Sequence, residues 1–333
     1  MKSRRWKWGL TVLLVLIPTA VLAWRYGTWL PEPELLATPW ESRESSAVTF
    51  APDRQTLAFT REKEVRLWDV ASRTEKKILN CLAFSPDGKL LASGDSEGAV
   101  RLWEVNSGKQ ESILRAKGTT AVRSVAFASD GKTLAATGRG DAPESVNGVI
   151  HPGVGEVNLW DVAKGEMRAV LSGHTSYVSR VAFSPDAETL ASASYDGTVK
   201  LWDMGNFQQR ATLDGNRGVL FALAYSPDGK TVASGTYGGV RLWDPATGTL
   251  LATLRGWAGT PRSLAFSPDG KTLAAGCGDH SKLFATGPGR VEVWDTATHT
   301  VRSRWTVQEH GLVISVAFSP DGKSLPLWVM KGT

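Results

Sequence analysis

The amino-acid sequence predicts an all-β protein built from seven repeats of four short strands each. Its 34 glycines, 16 prolines and 14 tryptophans combine turn-forming residues with large aromatic ones, a composition typical of many short strands. Two sequence blocks also recur at a mean interval of about 45 residues, and a fixed interval of this length indicates a repeat architecture. Because a four-stranded unit cannot bury its faces alone, we expect the seven units to stack radially.

Residues 1–30 are expected to form a signal or anchor segment that precedes the repeats. An uncharged, mainly apolar stretch over residues 8–24 follows four basic residues, Lys2, Arg4, Arg5 and Lys7. As a helix this stretch would be roughly 25 Å long, slightly less than a hydrocarbon core of about 30 Å. Tryptophans at both ends favour a retained single-pass transmembrane helix with its basic end in the cytoplasm, whereas the small-residue ending favours a cleavable signal peptide. Both alternatives place the rest of the chain outside the cytoplasm.

Charge and cysteine content exclude two classes of protein. The formal net charge is +5, but residues 1–30 hold five Lys and Arg and no acidic residue, so the remaining chain is balanced. A duplex-binding protein needs an excess of basic side chains for the phosphates, and we therefore expect no nucleic-acid partner. Cys81 and Cys277 are the only two cysteines, which excludes a disulfide framework. We expect Cys81 to be a small apolar filler and Cys277 to be a loop thiol.

Each repeat contains two recognisable blocks. The first has the form V-A-F-S-P-D-G-K-x-L-A, with its aromatic residue at Phe50, Phe84, Phe127, Phe183, Tyr225, Phe266 and Phe318. The second is an apolar-Trp-acidic sequence at Trp68, Trp103, Trp160, Trp202, Trp243, Trp294 and, without the acidic residue, Trp328. The repeat domain over residues 31–333 is accordingly divided into repeats 45–79, 80–118, 119–173, 174–216, 217–258, 259–309 and 310–333.

The fourth repeat illustrates the expected strands. Alternating apolar and polar residues are interrupted by a Pro-Asp turn and then by an Asp-Gly hairpin signal, which separate neighbouring antiparallel strands. The predicted strands span Val178–Ser184, Thr189–Ser194, Thr198–Asp203 and Arg210–Leu213.

The second block resembles the signature of WD-repeat proteins. It reads LWDV at 67–70 and 159–162, LWEV at 102–105, LWDM at 201–204, LWDP at 242–245 and VWDT at 293–296, and a Gly-His pair lies at 173–174. The resemblance covers residues 34–333 and implies a seven-bladed β-propeller.

The resemblance also implies a structural hydrogen-bond network within a blade. Its members are a loop His, a Ser or Thr, an Asp and the Trp, and the fourth repeat matches in full with His174, Ser192, Asp196 and Trp202. A His-Ser-Asp set also occurs in hydrolases, but a buried network that orients a Trp needs the same groups, and we favour the structural role. Other repeats depart from the pattern. Asn216 and Trp257 occupy the loop His position and Glu97 replaces an Asp, so we expect those blades to depend more on packing.

The last repeat is short and is expected to borrow a strand. Phe318 and Trp328 are ten residues apart, whereas these two positions are 18 or 19 residues apart in the complete repeats without an insertion. The sequence ELLAT at 34–38 resembles TLLAT at 249–253. Residues 34–40 are therefore expected to supply the outer strand of the seventh blade and close the ring, which would protect exposed strand edges.

The candidate binding residues lie on one face of the predicted propeller. We call it the top face, the face that carries the loop histidine and the hairpins between second and third strands. Extra residues at Gly138–Gly155 and Gly276–Gly289 elaborate this face, and such insertions either mark a binding face or are tolerated surface loops. Tyrosine and tryptophan are common in interface hot spots, although partial burial against neighbouring loops is an alternative. The candidate partner-binding residues are Tyr177, Tyr195, Tyr237, Trp257, Asn147, His151, His280 and Lys282.

The sequence favours a binding protein over an enzyme. Acidic residues and histidines in the two insertions, Asp141, Glu144, His151, Asp279 and His280, have no recognised metal-ligand spacing, so no metal and no cofactor are expected. There is also no phosphate-binding loop and no convincing nucleophile with its base, and we name no catalytic residue. The resemblance to WD-repeat proteins implies a non-enzymatic scaffold that binds a protein through its top face, and the N-terminal segment predicts that this scaffold is exported or anchored at the membrane. The alternative is an exported propeller enzyme or small-molecule sensor that uses the axial cavity.

Overall fold

The structure, a computed structural model, describes most of the repeat region. The described residues are the strands at 34–37, 48–50, 56–61, 64–69 and 75–76, followed by 81–95, 97–115, 119–140, 145–146, 149–150, 155–216, 218–255, 259–278, 289–308 and 311–331. Every regular element in these residues is a β-strand, which confirms the all-β class. The predicted signal or anchor segment lies outside the described residues.

No helix among the residues that the structure describes is long and apolar enough to cross a membrane.

The described strands form six four-stranded sheets and one three-stranded sheet, numbered here in chain order, and one separate two-stranded sheet. The first strand of the chain is β1 (Glu34–Ala37). Sheet 1 contains β2 (Val48–Phe50), β3 (Thr56–Arg61), β4 (Glu64–Asp69) and β5 (Glu75–Lys76). Sheet 2 contains β6 (Cys81–Phe84), β7 (Leu90–Gly94), β8 (Ala99–Glu104) and β9 (Gln110–Arg115). In these sheets, as in the other four-stranded ones, each strand pairs antiparallel with the next.

Sheet 3 carries an insertion that has structure of its own. Its strands are β10 (Thr119–Phe127), β11 (Thr133–Gly140), β14 (Gly155–Asp161) and β15 (Glu166–His174). Between its second and third strands, β12 (Ser145–Val146) and β13 (Val149–Ile150) pair as a separate two-stranded hairpin. The sequence predicted extra residues at this position but not the hairpin.

Sheets 4 to 6 repeat the same order. Sheet 4 contains β16 (Val178–Phe183), β17 (Thr189–Ser194), β18 (Val199–Asp203) and β19 (Gln209–Leu213), which differ from the predicted strands by a single residue at an end. Sheet 5 contains β20 (Leu220–Tyr225), β21 (Val232–Thr236), β22 (Gly239–Trp243) and β23 (Leu250–Leu254). Sheet 6 contains β24 (Thr260–Phe266), β25 (Thr272–Gly278), β26 (Gly289–Asp295) and β27 (Val301–Gln308).

Sheet 7 joins strands from opposite ends of the repeat region. It contains β28 (Gly311–Val316) and β29 (Ser324–Lys331), with β1 on the outer side of β29. β1 runs parallel to β29, and Glu34 lies opposite Ser324. In a complete antiparallel sheet, the fourth strand runs parallel to the second. β1 therefore has the direction of a fourth strand, but it pairs directly with the second strand of sheet 7, with no third strand between them. Trp328, which the sequence groups with the third-strand tryptophans, lies in the second strand of this sheet.

The first strands of successive sheets lie side by side. β2, β6, β10, β16, β20, β24 and β28 contact one another in this order, and β28 also contacts β2. The apolar cores lie between neighbouring sheets. Trp202 of sheet 4 packs with Leu171 of sheet 3, and Trp243 of sheet 5 packs with Leu213 of sheet 4. Each such sheet therefore buries its apolar face against the sheet before it, as stacked repeats must.

A recurring turn joins the first strand to the second. In sheet 2, the Ser85 hydroxyl donates to Asp87 Oδ1 at 2.6 Å, and Gly88 has a φ of 72°. The same Ser-to-Asp bond occurs at Ser184–Asp186, Ser226–Asp228, Ser267–Asp269 and Ser319–Asp321. Sheet 4 has Ala187, with a φ of 61°, where the other turns have glycine. Because only glycine adopts this left-handed region without strain, Ala187 is held there by the rest of the turn.

Both cysteines are unpaired and lie in strands. Cys277 is a buried member of the core between sheets 5 and 6, so the prediction of a loop thiol was wrong. The reason is that β25 continues to Gly278 before the insertion begins. Burial raises the pKa of Cys277 to about 12 and that of Cys81 to about 11, and both thiols are therefore protonated and inert near neutral pH.

Candidate functional site

A hydrogen-bonded chain links sheets 3 and 4 in the interior. His174, the last residue of β15, has Nδ1 2.8 Å from Asp196 Oδ2 and Nε2 2.7 Å from Ser192 Oγ. The Trp202 indole Nε1–H donates to Ser192 Oγ at 2.8 Å. An ionised carboxylate only accepts hydrogen bonds, so His174 donates from Nδ1 and accepts the Ser192 hydroxyl at Nε2. The chain therefore runs from Trp202 through Ser192 and His174 to Asp196.

The burial of this arrangement fits a structural role better than a hydrolase site. Ser192 is 0% exposed and His174 is 2% exposed, so a substrate cannot reach the hydroxyl. Asp196 also accepts hydrogen bonds from the Thr175 N–H and from Thr198. Burial raises the pKa of Asp196, but the hydrogen bonds from His174 and Thr198 outweigh it and hold this pKa well below its usual range. The carboxylate is thus a fixed anchor for the loop that enters sheet 4.

Sheets 2 and 5 keep part of this chain with other residues. In sheet 2, Trp103 Nε1 donates to Ser93 Oγ at 3.1 Å, and Asp95, two residues before Glu97, accepts the backbone N–H of the hairpin. In sheet 5, Trp243 Nε1 donates to Ser234 Oγ at 2.9 Å, and this hydroxyl donates to Asn216 Oδ1 at 3.1 Å. Asn216 therefore takes the acceptor role of the histidine.

Sheets 3 and 6 have no serine at this position. Ala136 and Ala275 replace it, yet Trp160 and Trp294 are each only 2% exposed. These two tryptophans are thus buried without a serine partner at this position. The same two sheets carry the insertions. Greater dependence on packing was expected for the repeats of Glu97, Asn216 and Trp257, but sheets 2 and 5, which hold the first two, keep the Trp-to-Ser hydrogen bond.

Four aromatic side chains form a continuous row along the top of sheets 4 and 5. We call Tyr177, Tyr195, Phe221 and Tyr237 the aromatic row. Successive ring centres are 6.2, 5.6 and 5.4 Å apart and meet edge to face, the arrangement that aromatic pairs prefer. Tyr195 and Tyr237 are 38% and 50% exposed, whereas Phe221 is 8% exposed. The row thus has a buried ring at its centre and an exposed tyrosine on each side of it.

Backbone geometry positions the row. The Tyr195 N–H donates to the Tyr177 carbonyl at 2.8 Å, which ties the hairpin of sheet 4 to its entry loop. Phe221 lies at a bulge in β20, between the paired residues Leu220 and Ala222. The Arg262 guanidinium carbon lies 4.2 Å from the centre of the Phe221 ring, within the range of a cation–π contact.

The remaining predicted binding residues fall in other parts of the chain. Trp257, Asn147, His151, His280 and Lys282 lie outside the described residues and stay predictions. Within the part of the chain that the structure describes, no group of three or more His, Cys, Asp or Glu side chains is arranged to hold a metal ion.

Sequence reasoning missed Phe221 and Arg262. Both lie four residues before the aromatic residue of the first block, at Tyr225 and Phe266, in a column where Arg123 occupies the same place. A comparison of this column across the repeats is the signal that would have found them, because the bulge in the first strand falls there.

Comparison with known proteins identifies the class. The family model "WD domain, G-beta repeat" matches residues 165–203, 207–244 and 248–295, and the model "Anaphase-promoting complex subunit 4 WD40 domain" matches residues 42–119. Together with the repeated sheets and their Trp-containing third strands, these matches show that the chain belongs to the WD-repeat family.

Three relatives illustrate the range of similar proteins. WD repeat-containing protein SL1-17 of Schistosoma mansoni is 31% identical over 142 residues, which are 40% of this chain and 42% of that protein. Periodic tryptophan protein 2 of Arabidopsis thaliana is 29% identical over 181 residues, 51% of this chain and 18% of that protein. Telomerase protein component 1 of Rattus norvegicus is 28% identical over 180 residues, 52% of this chain and 6% of that protein. The chain spans less than half the length of each.

Proposed function

We propose that the protein is a non-enzymatic scaffold, a seven-bladed WD-repeat propeller that binds a protein partner through its top face. We further propose that it is anchored at the membrane by the segment at residues 8–24 or exported after cleavage of that segment. The observation that carries the proposal is the aromatic row, with two exposed tyrosines on a common edge of sheets 4 and 5.

The order of the first strands supports a ring of seven blades. Each first strand contacts the next, and β28 contacts β2, so the series returns to its start. β1 supports closure as well, since it adds an outer strand from the beginning of the repeat region to sheet 7. In this ring, the first strand of each blade lines the axis.

The chemistry of the row supports a protein partner. Tyrosine offers a large apolar ring and a hydroxyl at low entropic cost, which is why it is frequent in interface hot spots. WD-repeat proteins generally act as scaffolds, and one of the relatives is named as a protein component of telomerase. The buried serine of the His174 chain is occupied structurally, which favours binding over catalysis. The proposed scaffold binds a protein without a metal or a cofactor, and it does not bind nucleic acid.

The binding proposal is tested by a capture experiment with matched variants. The full chain, the double variant Tyr195→Ala/Tyr237→Ala and the control Leu250→Ser/Leu251→Ser are used to capture partners from solubilised membranes, followed by mass spectrometry. The control changes two leucines of the outer strand β23 that are 48% and 50% exposed. We expect proteins captured by the parent and the control to be lost with the tyrosine variant. Equal capture by all three would contradict top-face binding.

Export is tested separately by cysteine labelling. Single cysteines replace Asn147 and Lys282 in the two insertions, and Asp228 in a turn between first and second strands. An impermeant maleimide is added to intact cells or spheroplasts. We expect labelling before lysis, with the fastest rate at the two insertion positions. The chain enters sheet 7 through β1 from the face opposite the top face, so a retained anchor would hold that opposite face near the bilayer and leave the insertions accessible. Labelling only after lysis would overturn export.

A further inference from the structure

Three arginines approach one another beside the aromatic row. Arg123 lies in β10, Arg180 in β16 and Arg262 in β24, which are first strands of sheets 3, 4 and 6. The Arg180 guanidinium donates to the Ser179 carbonyl at 2.8 Å, and its other terminal nitrogen lies 3.5 Å from the Arg262 carbonyl. Arg180 thus spans from its own strand to that of sheet 6, across the sheet that carries Phe221.

The titratable groups beside Arg180 in the described part of the chain do not include a carboxylate. The titratable groups that face its partly buried guanidinium are those of Cys81, Tyr195 and Arg123. Burial lowers the pKa of Arg180, and the like charge of Arg123 lowers it further. The carboxylate of Asp95 lies near Cys81, but it is engaged by Arg101 at 3.0 Å. Among the described residues, no Asp or Glu forms an ion pair with Arg180 or Arg123.

The pair of Arg123 and Arg180 is unfavourable unless an anion compensates its charge. Like charges repel, and removing a guanidinium from water costs free energy that backbone carbonyls only partly return. Guanidinium groups bind carboxylates and phosphates through paired N–H donors of matching geometry. The two carbonyl contacts of Arg180 hold its side chain in place. The side chain therefore loses little further conformational entropy when an anion binds.

We propose that Arg123 and Arg180 bind an oxyanion carried by a peptide of the partner, while the neighbouring aromatic row receives an apolar side chain of the same peptide. The oxyanion is a carboxylate or a phosphate, since both present the same acceptor geometry. This inference rests on the proposed function and adds the chemical class of the partner segment. The peptide would bind at the end of the first strands that lies on the top face.

A purely structural role for the arginines makes a different prediction. Arg123 is exposed and, within the described part of the chain, forms no ion pair. Its replacement by glutamine should therefore leave the stability of the fold unchanged. If the cluster binds an anion, the same replacement weakens binding. Arg123→Gln thus separates the two roles, even where Arg180→Gln proves difficult to fold.

The test begins with a displayed library of random peptides selected on the full chain. We expect selected peptides to be enriched in Asp or Glu next to an apolar residue. The best peptide is then made in three forms, with glutamate, phosphoserine or glutamine at the enriched acidic position, and binding is measured by fluorescence anisotropy. We expect the tighter of the two anionic peptides to bind with an affinity at least about tenfold higher than the glutamine peptide. The identity of this tighter peptide shows whether the oxyanion is a carboxylate or a phosphate.

Arginine variants complete the test. Arg123→Gln and Arg180→Gln should abolish the advantage of the anionic peptide, whereas the control Arg210→Gln, on the exposed outer strand β19, should retain it. The inference is overturned if selection shows no acidic enrichment, if the glutamine peptide binds equally well, or if both cluster variants keep the preference. A partner that is lost with the tyrosine variant but captured normally by both arginine variants would leave the scaffold proposal standing and reject this inference alone.

Discussion

Replacement of His174 by alanine tests the buried chain that links sheets 3 and 4. Without the imidazole, the Ser192 hydroxyl loses its acceptor in a position that is 0% exposed. Asp196 keeps its hydrogen bonds from Thr175 and Thr198, so one buried group is left unsatisfied. Such a group costs about 1 to 3 kcal/mol, and we expect His174→Ala to lower the free energy of unfolding by that amount.

Trp202→Ala provides a larger reference change in the same chain. It removes the donor to Ser192 and also the ring that packs on sheet 3, and truncating a buried tryptophan costs about 3 to 5 kcal/mol. Lys164→Ala is the control, because Lys164 is an exposed turn residue without a left-handed backbone and surface changes stay within about 0.5 kcal/mol.

Urea unfolding of the purified full chain measures these differences. Circular dichroism at equilibrium gives the midpoint and the slope for each variant, and a change in midpoint at constant slope reports a change in stability. We expect the midpoints to fall in the order Lys164→Ala, His174→Ala, Trp202→Ala. If His174→Ala and Trp202→Ala unfold at the same urea concentration as Lys164→Ala, the buried chain does not stabilise the protein.

Three further changes are expected to alter stability. Ala187→Gly should raise the unfolding free energy by up to about 1 kcal/mol, because relief of left-handed strain exceeds the added entropy of the unfolded chain; Gly229→Ala should have the opposite sign, and thermal unfolding that orders the two otherwise would contradict this. Deletion of residues 1–40, which removes β1, should cause partial unfolding or aggregation that deletion of residues 1–30 does not; equal melting temperatures would argue against a closing role. Since the pKa of Asp196 is lowered in the folded state, its stabilisation is present above about pH 4 and lost as the pH falls further; Asp196→Asn should therefore lose less stability than the parent between about pH 4 and pH 2, and parallel pH profiles would exclude this contribution.

Local features of the fold could be predicted from the sequence. The strands of sheet 4 followed from alternation and turn residues, because those signals act between residues close in the chain. The insertion in sheet 3 was expected from its length, but the β12–β13 hairpin was not, since two-residue strands leave no periodic pattern. The strand position of Cys277 was missed because β25 is longer than the sequence pattern suggested.

The contacts that form the candidate site depend on geometry between sheets. The resemblance to WD-repeat proteins implied the His174 chain, whose members were then matched by spacing, and two of the tyrosines were chosen from equivalent positions in neighbouring repeats. The ring of Phe221 between two tyrosines and the approach of Arg180 to Arg262 involve separate sheets. Their distances depend on how the sheets stack and on the bulge in each first strand, and neither can be obtained from one sequence.

The parallel pairing of β1 with β29 has a consequence for the order of folding. During synthesis, β1 leaves the ribosome before every other described strand, but its partner is the last one made. Sheets 1 to 6 have all their own strands available earlier. Sheet 7 must join segments separated by almost the whole repeat region, which is the largest loop-closure cost among the described strand pairings. The same junction should be the first to open under mechanical pull on the segment before Glu34. The pairing of β1 with β29 can therefore form only after all the described repeats have been synthesised.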